Sequence, residues 1–157
     1  MKGDITPCKY MLYNCKHDSQ KKDLIEYNQN QRKRFPLLFA IDEGEKETIH
    51  FLIGQHRILH SKILTKSDAT GYNALISASQ FGYDDVLEEI IDDFKNDNQL
   101  FNVELDGRNA LMLAAWYGNE KCVKLLLPHF IEYQMMEVKS NSGSNALALA
   151  KRSKNKK

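Results

Sequence analysis

The side chains with the most chemical reach gather in two short stretches. Cys8, Cys15 and His17 lie close together near the start of this 157-residue chain. Thiolates and imidazoles bind zinc, but a structural site needs four such ligands at characteristic spacings. Cys8 and Cys15 fit no such spacing and no fourth ligand stands nearby. A metal-dependent activity there is the weakest of three functional hypotheses, and the small-apolar role of a free cysteine suits both thiols better. His56 and His60, in "HRILH", would share one helical face at i and i+4. No glutamate separates them, so the metalloprotease arrangement is missing and ordinary surface histidines are expected. No Ser/His/Asp or Cys/His set occurs in identifiable roles. Neither an enzyme nor a cofactor is expected.

The glycines say more. Gly71, Gly107 and Gly143 recur every 36 residues, and Gly44, Gly82 and Gly118 are separated by 38 and 36. Each stands alone, so none forms a phosphate-cradling loop. Periods of this size signal stacked helical repeats.

Each period reads as two helices around the second glycine series. In the middle unit, Ala74, Leu75 and Ala78 share a face of a short helix, Gly82 breaks it, and Val86, Leu87, Ile90, Ile91 and Phe94 form the stripe of an amphipathic second helix. Asp84 and Asp85 open that helix, where its dipole favours negative charge. The next unit repeats the pattern with Ala110, Leu111 and Ala114, Gly118, then Cys122, Val123, Leu126 and Leu127. Pro128 is expected to end or kink it. The preceding unit has Pro36, Leu37 and Ala40, Gly44, then Thr48, Ile49, Leu52 and Ile53. Pro36 suits a first helical position, while Asn73, Asn109 and Asn145 suit N-caps.

Bulk properties fit one soluble domain that can bury a useful core. Hydrophobic residues make up 42% and charged residues 27%, both ordinary values. No apolar run approaches the ~18 residues of a membrane span, and the charged N-terminus lacks an apolar leader core. Three cysteines argue against a disulfide framework and for a reducing compartment. Cytoplasmic residence is expected, with the nucleus as the alternative. The net charge of +1 hides a strong unevenness. Residues 1–35 carry eight Lys/Arg against four Asp/Glu, residues 68–104 one Lys against nine acids, and residues 140–157 five Lys/Arg and no acid. The acidic residues Asp84, Asp85, Glu88, Glu89, Asp92 and Asp93 are expected on a solvated face of the second helix, opposite its apolar stripe.

The joint pattern resembles the ankyrin repeat. Asp68, Gly71, Leu75, Ala78, Gly82, Val86, Leu87, Ile90 and Ile91 match its motif in one unit. Gly107, Leu111, Ala114, Ala115, Gly118, Val123, Leu126 and Leu127 match in the next. Pro36, Leu37, Ala40, Gly44, Ile49, Leu52 and Ile53 match in the one before, where Lys33 stands in place of the early glycine. The likeness covers roughly residues 30–150. Departures are the replacement of Thr-Pro by Asn-Ala, the loss of the motif histidine, and units longer than ~33 residues. The extra length predicts longer second helices or irregular finger loops, as in the linker from Asn96. The resemblance implies an all-α fold, an ankyrin-type α-solenoid of stacked helix-turn-helix repeats in one domain spanning 1–157. Residues 1–31 would be a degenerate cap or repeat, 32–67, 68–103 and 104–139 repeats, and 140–157 a half-repeat cap. Thr6-Pro7 would open a first N-terminal helix carrying Met11, Leu12 and Cys15, and Leu24, Ile25 and Tyr27 a second.

In such stacks partners bind the concave groove lined by first helices and finger loops. By position this selects Tyr72, Gln80 and Phe81, then Leu105, Arg108, Trp116 and Tyr117, and earlier Arg34, Asp42 and Glu43. Trp, Tyr and Arg are common interface anchors. The leading expectation is a non-catalytic protein-binding module or scaffold with a protein partner of unstated identity. The alternative is a nuclear or nucleic-acid-associated protein using "QRKR" and "KRSKNKK". Nucleic acid is the less expected partner, since the acidic middle would repel phosphate.

Overall fold

The computed structural model describes residues 17–26, 34–96 and 103–154. Among these residues there are eight helices and no strand: α1 (Asp18–Glu26), α2 (Pro36–Glu43), α3 (Lys46–Leu59), α4 (Ala74–Phe81), α5 (Asp84–Asn96), α6 (Ala110–Tyr117), α7 (Glu120–Glu132) and α8 (Ala146–Lys154). The one bridge joins Val103 and Asn109, an isolated antiparallel pair.

The short helices α2, α4 and α6 end alike. Gly44, Gly82 and Gly118 turn left-handed, and the residue after each donates its backbone N–H to the carbonyl of Ala40, Ala78 or Ala114 at 2.9–3.0 Å. That is the Schellman bond, which satisfies a carbonyl the helix leaves over. At the other end Asn73, Asn109 and Asn145 accept from Ile76, Met112 and Ala148 at 2.9–3.0 Å, as the amide caps expected from sequence. Pro36 takes the first helical position of α2.

The short helices pack side by side in series, α2 on α4, α4 on α6 and α6 on α8, while α3, α5 and α7 stack behind them. α6 is buried all round, from Ala110 to Ala115, because α4, α7 and α8 surround it. The longer helices bury Ile49, Leu52 and Ile53, then Val86, Leu87, Ile90 and Phe94, then Cys122, Leu126 and Phe130. The three matching segments thus lie in series and share one apolar core.

Several expectations change. Pro128 does not end α7, which runs on to Glu132. The proline faces solvent, and Phe130 beyond it is fully buried, which anchors the last turn. His60 does not share a helical face with His56. It is the left-handed C-cap of α3, and His56 Nδ1 lies 3.1 Å from Ser61 Oγ. The acids of α5 are not merely solvated. Asp85 pairs with Lys46 at 2.6 Å, Asp84 with Lys121 at 3.1 Å, and Glu89 with His50 at 2.7 Å and Arg57 at 3.0 Å. The long helices run 13 or 14 residues against eight in α2, α4 and α6. At the N-terminus, the second expected helix is α1, with Ile25 buried. The first, with Thr6, Met11, Leu12 and Cys15, lies outside the described residues, as do Cys8, Tyr27 and most of the linker after Asn96. His17 is exposed, and no group of three or more His, Cys, Asp or Glu side chains that could hold a metal occurs among the described residues. None of the described helices is long and apolar enough to cross a membrane.

Candidate functional site

A tight turn precedes α4, α6 and α8, and its chemistry repeats. Asp68, Glu104 and Ser140 open turns in which their N–H donates to the carbonyl of Tyr72, Arg108 and Ser144, while Gly71, Gly107 and Gly143 donate back. Gly71 shows why glycine is needed: φ is +82°, and an added Cβ would stand 2.8 Å from Glu104 Cα. Successive turns are tied together, Leu105 N–H to Thr70 O at 3.0 Å and Asn141 N–H to Asp106 O at 2.9 Å. The turns therefore form a continuous rim.

Inside the rim runs a second row. Arg34, Tyr72, Arg108 and Ser144 each stand two residues before a helix, and three of them meet the residue eight positions on. Arg34 pairs with Asp42, Tyr72 Oη donates to Gln80 Oε1 at 2.8 Å, and Arg152 donates to Ser144 Oγ at 3.1 Å. The Arg34 guanidinium also lies 5.9 Å from the Tyr72 ring centroid. Between the rows is an open groove of about 560 Å³, lined by Arg34, Asp42, Thr70, Tyr72, Gln80, Phe81, Glu104, Leu105, Asp106 and Arg108. A second recess of about 440 Å³ adjoins it, lined by Asp106, Arg108, Trp116, Ser140, Asn141, Ser142, Leu149 and Arg152.

Both arginines of the groove are consumed internally. Asp68, its side chain fully buried, accepts from Thr70 N at 2.8 Å, Thr70 Oγ1 at 2.7 Å, Tyr72 N at 3.0 Å and Arg34 Nε at 3.2 Å. Glu104 accepts from Arg108 Nε and N at 3.0 Å and from Asp106 N at 3.1 Å, while Arg108 Nη2 reaches Asp106 Oδ2 at 2.5 Å. Burial alone would raise the Glu104 carboxyl. The Arg108 hydrogen bond and the two backbone N–H groups outweigh it and hold Glu104 below its usual range. Burial, and next the Glu104 charge, push the Tyr72 phenol up, so it remains a neutral donor at neutral pH. Arg34, Asp42, Asp68, Glu104, Asp106 and Arg108 together carry two positive and four negative charges. The groove is net acidic.

Seven of the ten candidate residues named from sequence meet in the main groove: Arg34, Asp42, Tyr72, Gln80, Phe81, Leu105 and Arg108. Trp116 lines the adjoining recess, half-buried against the core. Tyr117 and Glu43 are exposed outside both. Among the candidate residues, large apolar surface is offered to solvent by Leu105 at 67% exposure, Tyr117 at 52% and Phe81 at 42%. Sequence reasoning missed Thr70, Glu104, Asp106 and the Ser140–Ser142 turn. The signal was available, because Glu104 and Ser140 lie 36 and 72 residues beyond Asp68.

A family model for ankyrin repeats (3 copies) matches residues 1–102 and 94–157. Among curated proteins, none matches the chain.

Proposed function

The chain belongs to the ankyrin repeat family, whose members are generally protein–protein interaction modules without catalysis, and from that premise we propose that this protein is a non-catalytic module that holds a partner protein in its concave groove. The partner supplies an extended segment with basic side chains and at least one apolar anchor. The observation that carries this reading is the pairing of bare apolar side chains with spent cations. Leu105, Phe81 and Tyr117 stand exposed beside a groove whose arginines are already neutralised and whose Asp106 side chain is 70% exposed. Apolar burial supplies affinity there, and the acidic rim supplies on-rate and selection against acidic partners.

Affinity capture with the full chain, followed by mass-spectrometric identification, tests the proposal against a Leu105→Asp/Tyr117→Ser double variant. Both positions are exposed, so the variant is expected to fold, which circular dichroism checks. A partner bound directly by the purified wild-type chain, lost by this variant and weakened by Asp106→Asn, supports the groove. A direct partner retained in full by the folded double variant removes it.

A further inference from the structure

The three turns of the rim differ in their first residue. Asp68 and Glu104 open two of them, and Ser140 opens the third. In the first two turns the opening carboxylate accepts the backbone N–H of the residues two and four positions on. These are Thr70 and Tyr72, then Asp106 and Arg108, at 2.8–3.1 Å. An arginine Nε completes each set, Arg34 at 3.2 Å and Arg108 at 3.0 Å. Ser140 bonds differently. Its Oγ donates to Ser144 O at 3.1 Å and lies 3.0 Å from Ser142 Oγ. The corresponding N–H groups, those of Ser142 and Ser144, meet no acceptor among the described residues.

The third turn has its arginine. Arg152 of α8 donates from Nη1 to Ser144 Oγ at 3.1 Å. Unlike Arg34, Arg57 and Arg108, it pairs with no carboxylate among the described residues. The local sequence offers none, since no Asp or Glu occurs from Val138 to Lys157. The difference is internal to the turn. In the sister turns the acceptor is the turn's own first residue, whereas the neighbouring repeat takes up the carbonyl of the third, Thr70 O or Asp106 O. Contact of the same kind at Ser142 O would leave both N–H groups as they are. The recess of about 440 Å³ at this turn carries two positive side chains, Arg108 and Arg152, against one negative, Asp106. Asp106 is already engaged by Arg108.

We propose that the third turn is a carboxylate-binding subsite, filled by an aspartate or glutamate side chain of the partner segment. It rests on the groove reading given above for the source of that side chain. The N–H groups of Ser142 and Ser144 and the Arg152 guanidinium take its oxygens, as the sister turns take Asp68 and Glu104, and the Ser142 hydroxyl turns to donate a further bond. Trp116 and Leu149 line the same recess and give the methylenes of that side chain an apolar wall. The partner segment thereby acquires a polarity, with basic side chains over the main groove and an acidic one beside α8.

N-acetylglutamate α-amide tests the subsite by itself, with N-acetylglutamine α-amide as the uncharged control of the same shape. Titrated into the isotope-labelled full chain at constant ionic strength, the glutamate probe should shift the Ser142 and Ser144 amide NMR signals saturably, with a Kd of about 1–20 mM. The glutamine probe should leave them in place. Arg152→Gln should weaken the glutamate probe about five-fold. Ser140→Glu supplies the carboxylate from within, as Glu104 does, and should abolish probe binding while leaving the circular dichroism spectrum unchanged. The Leu105→Asp/Tyr117→Ser groove variant should bind the probe as the wild type does, so failure of the groove and failure of the subsite are read separately. Absence of a saturable shift, an equal response to the glutamine probe, or binding indifferent to both Ser140→Glu and Arg152→Gln overturns the subsite. Binding of N-acetylglycine in place of the glutamate probe overturns the side-chain assignment, since the ligand is then a chain terminus. A groove partner that binds Ser140→Glu as tightly as the wild type overturns the assignment to the partner segment.

Discussion

Leucine-to-alanine substitution at 75, 111 and 147 compares one residue type in one local sequence, varying only what packs on it. Each leucine follows an Asn-Ala pair at the start of a short helix, so the change in helix propensity, a few tenths of a kcal/mol, cancels between sites. Leu75 and Leu111 are 0% and 2% exposed and belong to the shared core. Truncating such a leucine removes its transfer free energy and leaves a cavity, which costs about 3 kcal/mol and within 2–5 kcal/mol. Leu147 is 59% exposed. Less than half of the ~2 kcal/mol available from burying a leucine is in play, and no closed cavity forms, so the cost is about 1 kcal/mol or less. For a chain of this size 1 kcal/mol corresponds to roughly 2–4 °C in Tm, so the inner variants should melt about 6–12 °C below wild type and Leu147→Ala within about 4 °C. Urea titration followed at 222 nm measures all three, provided the slopes agree, since repeat arrays can lose all-or-none behaviour. If Leu147→Ala costs as much as Leu75→Ala, the account of stacking given above is wrong.

Asn119 Nδ2 donates to Ser79 O and Gln80 O at 2.8 Å, capping α4 from the neighbouring repeat, so Asn119→Ala should cost about 1–2 kcal/mol in urea titration. Asn119→Asp should cost more, since it sets a carboxylate against two carbonyls at a negative helix end; equal stability of Asp and wild type would refute this cap. Asp68→Ala should cost about 2–4 kcal/mol, because it strands two backbone N–H groups and removes one of the two carboxylates that hold the Arg34 guanidinium; chemical denaturation reads it directly. Glu104 has its carboxyl held low in the folded state, so its stabilisation is complete above the unfolded pKa of about 4.3 and is lost as pH falls through the lower folded value. Glu104→Gln should flatten that acid limb, as a pH series of urea midpoints would show. Burial raises the Cys122 thiol to about 11. The unfolded thiol ionises near 8.5, so stability falls as pH rises from there toward the folded value. Iodoacetamide at pH 8 with peptide mapping should leave Cys122 unmodified in the native protein and label it in urea.

Period and punctuation were legible because they are local. An asparagine cap, a left-handed glycine and a 3.6-residue apolar stripe each act within about one turn of helix, so the residues that form them are visible in a single repeat. That is why α2 to α8 could be anticipated, and why seven groove residues could be picked by position. The run of α7 past Pro128 was not legible, because the burial of Phe130 that anchors the last turn depends on neighbouring helices. His60 likewise reads as helical by spacing, yet it takes the left-handed cap of α3.

The chain alone was enough to give the repeat, the ends of the short helices and which residues turn toward the rim. Electrostatics and exposure were settled by packing between repeats. Arg34 looks like a free anchor on paper, but the buried carboxylate of Asp68 that holds it comes from the turn of the next repeat. Four acids of α5, Asp84, Asp85, Glu89 and Asp93, find bases 32 to 39 residues away. Three identical leucines differ from full burial to 59% exposure. The physical reason is common to all three. The burial of these leucines and the pairing of Arg34 and of these acids depend on what lies across a repeat interface, which a residue's own neighbourhood in the chain does not contain.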